Sequence, residues 1–324
     1  MERFTKKQPI STLKSGDLVN DIFVVKIKRS VSPYVKGYSV ALFLTDASGR
    51  SIEYKYWGGR DEGKVRALFS SIKQDSVVLI NGKASMYNDK MQITSDEESP
   101  PKALNPEEYN ASFIMTPKKD VEEMYSMLLS KINSVQDESI KNLLLRTFEN
   151  DLKDKFKKHP GAIEIHHNWI GGLLQHTLEV VEYCETAIKL NPGLNRDLLL
   201  AGAMLHDIGK LEEIEMTTRI KGSRKGQFVG HLGLGIALLA EKLKESRIDD
   251  LLKDKLLHLM ASHHGKVEFG SPKEPMIPEA LALHYADEMS SKISEMIEFV
   301  KANREATEDD FMYHHRNSKN IFLK

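Results

Sequence analysis

The sequence predicts a multidomain β + α protein in which a five-stranded barrel precedes an all-helical region. Three observations support this prediction. Residues 17–95 contain short runs of β-branched and aromatic residues separated by turn residues, as strands do. Residues 121–300 carry apolar residues at helical spacing. Between the two parts, the prolines of residues 100–106 indicate a linker.

Composition narrows the class of protein. The chain has 324 residues, enough for two domains, and its 40% hydrophobic and 29% charged residues suit a soluble globular protein. Its apolar runs are too short to cross a bilayer, and its N-terminus lacks the apolar core of a signal peptide. The single cysteine, Cys184, excludes an internal disulfide framework and is expected to pack in the core. We therefore expect a cytoplasmic protein that does not enter a membrane.

The N-terminal segment, residues 1–100, has the element order of an OB-fold barrel. Helical spacing over residues 64–72 places a helix between the third and fourth strand-like runs, as in that fold. The turn residues of 87–90 predict a hairpin between the last two strands. The five predicted strands are residues 22–28, 38–44, 52–57, 77–84 and 91–94.

Charge and aromatic residues suggest that this barrel binds nucleic acid. Residues 1–95 contain 16 Lys and Arg but 9 Asp and Glu, a net charge of +7, whereas the whole chain carries −1. OB-fold barrels bind single strands through basic grooves and aromatic stacking, although lysines can also simply keep a small domain soluble. Strand alternation places Tyr54 and Tyr56 on one face, where they either stack with bases or fill the barrel. The predicted contacts in this segment are Tyr34, Lys36, Tyr54, Tyr56, Trp57, Tyr87 and Lys90.

The remainder of the chain divides into three predicted segments. Residues 101–158 form a linker and two connecting helices, and residues 159–312 form an all-helical domain. All 12 histidines of the chain lie at or after His159. Residues 313–324 are polar and are expected to fray.

Groups that can bind a metal recur at the ends or inner faces of predicted helices. His206 and Asp207 end a helix at 197–208, where an aspartate is unfavourable against the helix dipole unless a cation compensates it. Each such residue has an ordinary structural explanation when it is taken alone. Imidazoles and carboxylates repeated in this way nevertheless predict a divalent-metal site. The candidate ligands are His176, His206, Asp207, His231, His263, His264 and Asp287.

In their order along the chain, these residues resemble the HD-domain metal-dependent phosphohydrolase superfamily, most closely the YhaM-type 3′→5′ exoribonucleases. The shared stretches are Gly-Gly-Leu-Leu-Gln-His-Thr around His176, Leu-His-Asp-Ile-Gly-Lys around His206, Val-Gly-His-Leu around His231, Ser-His-His-Gly around His263, and Leu-His-Tyr-Ala-Asp ending at Asp287. That family also begins with an OB-fold, so the resemblance covers nearly the whole chain. It implies an HD-type helical domain after the barrel.

The resemblance also implies two divalent ions. The first would be held by His176, His206, Asp207 and Asp287. Asp207 would bridge to the second, which His231, His263 and His264 would complete. Manganese is the metal that the family favours, and iron, cobalt, nickel and magnesium are compatible with the same kinds of donor.

The activity implied by the resemblance is hydrolysis of single-stranded RNA from its 3′ end to nucleoside 5′-monophosphates, with single-stranded DNA as an alternative substrate. Metal ions held by the candidate ligands would activate the water for in-line attack on the terminal phosphodiester. Lys210 would neutralise the developing charge, and His166 or His167 would bind phosphate or protonate the leaving oxygen. The other predicted phosphate contacts, in a basic loop at 218–228, are Arg224 and Lys225.

Two other functions use the same features. An enzyme acting on small nucleotides would need the metals but not the barrel, and a non-catalytic binding protein would need the barrel but not the metals. The pair at 263–264 is not followed by the Gly-Tyr-Pro of cyclic-di-GMP phosphodiesterases, which argues against that activity. Apolar faces on several predicted helices also leave room for a homo-oligomer.

Overall fold

The computed structural model describes residues 3–48, 50–110, 118–163, 167–305 and 307–324. The chain forms two compact units. One contains Met1–Thr116 with Met216–Arg219, and the other contains Pro117–Glu215 with Ile220–Lys324. Among the described residues, no helix combines the length and the apolar character that crossing a bilayer requires.

The N-terminal unit contains a closed barrel. Strand β1 pairs with β3, β3 with β4, β4 with β6 and β6 with β5, and β5 returns to β1. The pairing of β4 with β6 is parallel, whereas the other barrel pairings are antiparallel. This order confirms the predicted OB-fold. The elements are β1 (Leu18–Lys28), β2 (Ser32–Tyr34), β3 (Gly37–Thr45), β4 (Ser51–Trp57), α1 (Glu62–Ser71), β5 (Val77–Tyr87), β6 (Lys90–Asp96) and β7 (Lys102–Leu104).

Alternation along β4 decides which aromatic side chains reach the surface. Tyr54 and Tyr56 are 0% and 4% exposed and belong to the barrel core. The Tyr54 hydroxyl lies 2.5 Å from the Ser95 hydroxyl oxygen, so its polar end is satisfied internally. The prediction that Tyr54 and Tyr56 bind nucleic acid is therefore wrong. Lys55 and Trp57 occupy the other face of the strand and are partly exposed.

A buried ion cluster attaches the N-terminal segment to the barrel. Lys6 Nζ lies 3.4 Å from an Asp21 carboxylate oxygen and 3.5 Å from an Asp46 carboxylate oxygen. The ammonium also donates to the Ile22 carbonyl and lies 3.2 Å from the centroid of the Phe23 ring. Burial lowers the pKa of Lys6, which the two aspartates partly offset. The cluster thus sets one ammonium against two carboxylates, and main-chain N–H groups of Lys7, Gln8 and Ile10 also donate to these carboxylates.

The second unit is mainly helical. Several of its helices begin where an Asp, Asn or Ser side chain accepts first-turn N–H groups, as at Asp120, Asp137, Asn195, Ser223 and Asp249. Its elements are α2 (Val121–Asn133), α3 (Glu138–Leu145), a π-helical turn (Arg146–Asp151), α4 (Lys153–Lys158), α5 (Gly172–Leu190), α6 (Arg196–Leu205), α7 (Lys210–Glu213), β8 (Ile214–Met216), β9 (Ile220–Gly222), α8 (Arg224–Lys244), α9 (Asp250–Ser262), α10 (Pro278–Asn303), β10 (Phe311–His314) and β11 (Lys319–Phe322).

Helix α6 is the centre of this unit. All residues from Leu198 to Leu205 are buried, and each fully buried leucine contributes about 1.5–3 kcal/mol relative to exposure. Neighbouring helix α5 supplies a buried stripe that includes Cys184, whose predicted place in the core is confirmed. The end of α6 therefore carries the next residues, His206 and Asp207, into the interior.

Two sequence-based expectations differ from the fold. Strands β10 and β11 form an antiparallel hairpin in which Ile321 and Leu323 are buried, so the C-terminus is not a frayed polar tail. Its apolar residues at alternate positions outweigh the polar composition of the segment. Residues 218–228 are also not a single loop, because they contain β9 and the first turn of α8, where Arg224 and Lys225 lie.

Candidate metal centre

Five helical segments bring the seven predicted ligands together. His176 lies on α5, His206 and Asp207 follow α6, His231 lies within α8, His263 and His264 follow α9, and Asp287 lies on α10. Two groups of these residues have ligand atoms within 4.8 Å of one another, one with His176, His206 and Asp207 and the other with His231, His263 and His264.

The first group is rich in both imidazole and carboxylate. His176 Nε2 lies 3.2 Å from His206 Nε2 and 3.1 Å from Asp287 Oδ1. Asp207 Oδ2 lies 3.4 Å from His176 Nε2 and 3.3 Å from His206 Nε2. Four potential donors therefore converge on one point, which is the arrangement that a bound cation requires.

The second group is imidazole-rich and more exposed. His231 Nε2 lies 3.2 Å from His264 Nε2, and both residues are partly exposed. The other Asp207 oxygen, Oδ1, lies 3.7 Å from His231 Nε2 and 3.8 Å from His263 Nε2. The two oxygens of Asp207 thus face different groups, so this one carboxylate can serve both.

Hydrogen bonds on the far side of each ring fix the orientation of the ligand histidines. His206 Nδ1 lies 2.9 Å from the Ala203 carbonyl oxygen, and His263 Nδ1 lies 2.9 Å from the Met260 carbonyl oxygen. His264 Nδ1 lies 3.1 Å from the Phe269 carbonyl oxygen. A carbonyl oxygen can only accept, so Nδ1 carries the proton and Nε2 presents its lone pair to the centre.

The donor set fits divalent cations. In the described part of the chain, His263 Nε2 is buried and has no hydrogen-bond partner, an arrangement that costs free energy unless something else satisfies the lone pair. Imidazole nitrogens and carboxylate oxygens together suit manganese, iron, cobalt, nickel or zinc. A divalent ion beside His263 would satisfy this atom.

Protonation in the first group follows from the packing of opposite charges. Burial raises the pKa of Asp207, but Lys210 and His206 outweigh it, so the pKa lies well below its usual value. Burial lowers the pKa of His176, but Asp207 and Asp287 outweigh it and raise the pKa to about 9. The carboxylates of the first group thus favour a positive charge at its centre, which a bound cation would supply in place of a proton.

The predicted catalytic residues have different surroundings. Lys210 Nζ lies 2.6 Å from Asp207 Oδ2, at the edge of the first group. His167 is fully buried and its Nε2 lies 3.1 Å from a Glu179 carboxylate oxygen. His166 lies outside the described residues. The role predicted for His167 in binding or protonating substrate stays a prediction, and its burial leaves it no contact with solvent.

Gly209 has a role that the sequence did not indicate. The predicted helix at 197–208 is shorter in the structure, where α6 ends at Leu205 and Gly209 has a φ of −64°. A Cβ added to Gly209 would lie 1.9 Å from the His231 carbonyl oxygen. Glycine is needed here because the main chain around His231 approaches so closely.

Polar residues that the sequence did not indicate lie behind the candidate ligands. His176 Nδ1 lies 3.0 Å from Ser290 Oγ, and that hydroxyl donates to Glu179. His231 Nδ1 lies 3.1 Å from a Glu213 carboxylate oxygen. Helical spacing could have indicated Glu179, three residues after His176, whereas only tertiary structure relates Glu213 to His231.

The other predicted contacts of the barrel lie at its surface, where Tyr34 and Trp57 are partly exposed. The rings of Tyr34 and Trp57 meet edge to face with centroids 4.8 Å apart, and Lys55 Nζ lies 4.1 Å from the Trp57 ring centroid. Tyr87 and Lys90 flank the exposed turn between β5 and β6. Lys36 is exposed in the turn before β3.

Comparison with known proteins agrees with this geometry. The HD domain family profile matches residues 173–292. The chain is 30% identical to the 3′-5′ exoribonuclease YhaM of Bacillus subtilis (strain 168) over 286 residues, which is 87% of each chain. It is 32% identical to the 3′-5′ exoribonuclease YhaM of Geobacillus sp. (strain WCH70) over 284 residues, which is 86% of this chain and 84% of that one. The chain therefore belongs to the YhaM family of HD-domain proteins.

Proposed function

We propose that this protein is a metal-dependent 3′→5′ exoribonuclease that degrades single-stranded RNA to nucleoside 5′-monophosphates. The observation that supports this most strongly is Asp207, whose two oxygens face two separate ligand groups. A shared carboxylate is expected where two ions lie close enough to act on one phosphodiester. The names of its relatives support the same activity.

The two ligand groups suggest where the ions would bind. His176, His206, Asp207 and Asp287 would hold the first, and His231, His263 and His264 would hold the second with Asp207. Divalent ions of this kind polarise phosphoryl oxygens and lower the pKa of bound water. We propose manganese, which the resemblance to the YhaM-type family implies. The imidazoles of the second group argue against magnesium, which prefers oxygen ligands.

The chain's own side chains would prepare the site for an anionic substrate. The ammonium of Lys210, beside Asp207, adds a positive charge at the edge of the first group. A lysine there is placed to interact with phosphate oxygens that gain charge during hydrolysis. The partly exposed side, formed by His231 and His264, is where substrate would enter.

The substrate experiment separates this proposal from its main alternative. With Mn²⁺, a 5′-labelled oligoribonucleotide should shorten progressively, and a 3′-labelled one should release labelled nucleoside 5′-monophosphate at once. The same assay with single-stranded DNA measures the preference between the two polymers. Turnover of mononucleotides without any shortening of RNA would reject the exonuclease and favour an enzyme of small nucleotides.

We propose that the barrel binds single-stranded RNA through Tyr34, Lys55 and Trp57, with basic residues around them. Stacking and backbone charge would give low sequence specificity and a steep loss of affinity with salt. The further contacts that we propose in the barrel are Lys36, Tyr87 and Lys90. In the helical unit we separately propose Arg224 and Lys225 as phosphate contacts, and all five residues are exposed.

Replacing Trp57 with alanine is expected to weaken binding of a single-stranded oligoribonucleotide by roughly 5- to 150-fold, because stacking contributes about 1–3 kcal/mol per base. Fluorescence anisotropy in EDTA, where hydrolysis is blocked, measures the affinity. Tyr54→Phe is the matched control, since Tyr54 is buried in the barrel. Equal affinities for Trp57→Ala and wild type would remove this surface from the proposal.

A homo-oligomer and a cytoplasmic location complete the proposal. Helix α10 presents five apolar residues at four-residue intervals, each at least 44% exposed, and such a ridge suits packing against another helix. Light scattering after gel filtration measures the assembly. The ridge consists of Leu281, Tyr285, Met289, Ile293 and Ile297.

The buried free thiol of Cys184 is compatible with a reducing compartment, which supports the proposed cytoplasmic location.

A further inference from the structure

We propose that Glu213 is the positioning residue of the second ligand group, because it holds His231 with Nε2 directed at His264 and Asp207. The inference rests on the proposed two-ion site. It concerns a residue that makes no contact with the reacting atoms and acts through His231 alone.

Glu213 forms two hydrogen bonds with His231. Its Oε1 accepts the main-chain N–H of His231 at 3.0 Å and lies 3.1 Å from His231 Nδ1. A carboxylate can only accept these bonds, so Nδ1 carries the proton. The lone pair of Nε2 then points towards His264 Nε2, 3.2 Å away, and Asp207 Oδ1, 3.7 Å away.

A break in helix α8 makes the main-chain bond available. Gly230 has φ 72° and ψ 159°, a conformation that other residues rarely adopt. His231 consequently begins a new helical turn, in which the first N–H groups have no partner in the helix. The Glu213 side chain supplies the missing acceptor.

A second glycine, Gly226, allows helix α8 to approach Glu213 closely. The Ser223 N–H donates to the Glu213 carbonyl oxygen at 2.8 Å. A Cβ added to Gly226 would lie 2.5 Å from that oxygen and 2.9 Å from Glu213 Cγ. Gly226 therefore allows α8 to lie directly against Glu213, and Gly230 turns His231 back towards it.

The Nδ1 partner of His231 is a carboxylate, which distinguishes His231 from the other candidate ligand histidines. Among the described contacts, the Nδ1 partners of His176, His206, His263 and His264 are a hydroxyl or main-chain carbonyls. A carboxylate partner fixes the tautomer and the orientation of an imidazole ring. His231 is also partly exposed, so it has less packing to restrain it.

Metal titration of full-length variants tests the assignment. Titration of apo-protein with Mn²⁺ by calorimetry should show two ions per chain for wild type. In Glu213→Ala the second ion should bind about 10- to 100-fold more weakly, as is typical when an outer partner of a ligand is lost, and the first should bind as before. Glu213→Gln, which can still accept both bonds, should retain more affinity than alanine does.

The neighbouring Glu212→Gln is the matched control, because Glu212 pairs with Lys155 and Lys225 at the surface. It should leave both affinities unchanged. Gly226→Ala adds one methyl group against Glu213 and should weaken the second ion as Glu213→Ala does. Circular dichroism melts identify any variant that fails to fold.

A nitrogen-15 spectrum of the apo-protein provides a readout that needs no metal. It should show His231 protonated at Nδ1 in wild type and a mixture of tautomers in Glu213→Ala. Two ions bound at wild-type affinity in Glu213→Ala, with an unchanged His231 tautomer, would overturn the inference even if RNA is hydrolysed. If wild type does not shorten RNA but Glu213→Ala still loses the second ion, the proposed substrate fails and the role of Glu213 stands.

Discussion

Replacing Asp207 with asparagine is expected to lower the rate of RNA hydrolysis by about 10³-fold or more, which exceeds the 10- to 100-fold effect of losing an outer partner. The amide keeps the shape of the side chain, but it offers one weak oxygen donor and one N–H₂ group. It therefore cannot serve both ligand groups, which Asp207 Oδ1 and Oδ2 now face. Initial rates on a 5′-labelled oligoribonucleotide, together with metal content, measure the effect.

Asp250→Asn is the control for this substitution. Asp250 begins helix α9 and its side chain is 97% exposed, so the same chemical change there should leave the rate near that of wild type. Unchanged hydrolysis by Asp207→Asn would mean that a contaminating nuclease or a different site produces the activity. Under either explanation the observed hydrolysis does not come from the site proposed in the helical unit, and that proposal is rejected.

Replacing Lys6 with methionine is expected to destabilise the barrel by about 3–5 kcal/mol, because removing one partner of a buried ion cluster leaves the remaining charges uncompensated. Asp21 and Asp46 are 3% and 8% exposed, so water cannot replace the ammonium without opening the fold. Hydrogen exchange of peptides from β1 and β5 measures the change in the barrel separately from the helical unit.

Two further variants identify the cause. Lys7→Met makes the same change at an exposed neighbour and should alter barrel stability by less than about 0.5 kcal/mol. Combining Lys6→Met with Asp21→Asn and Asp46→Asn removes all the charges together and should recover part of the lost stability, because coupled groups are not additive. Exchange rates in Lys6→Met that match those of wild type would show that the cluster contributes nothing.

The clustering of the candidate ligands could be predicted from sequence because these residues are chemically unusual for their positions. His206 and Asp207 directly follow the apolar run from Leu198 to Leu205, and an aspartate at the end of a helix is unfavourable without a cation. Their distances, and the division of Asp207 between two groups, could not be predicted. These depend on how five helical segments pack, which the local pattern does not encode.

In the barrel, the sequence pattern also did not show which face of strand β4 lies inside. Alternation correctly placed Tyr54 and Tyr56 on one face, but it did not say which face is interior. Closure of the sheet between β1 and β5 turns that face inward, and Lys55 and Trp57 reach the surface instead. Glu213 was missed for a related reason, since it lies 18 residues before His231 and only the fold joins them.

The burial of α6 from Leu198 to Leu205 has a consequence for how the centre accommodates ions of different radius. His206 and Asp207 are anchored to close-packed interior, which resists displacement because every shift there opens a void or forces an overlap. The side chains of His231 and His264 border solvent and can shift position more easily. Adaptation to a larger or smaller cation should therefore occur on that flank, so relatives that use other metals should differ around these two imidazoles rather than along the central helix.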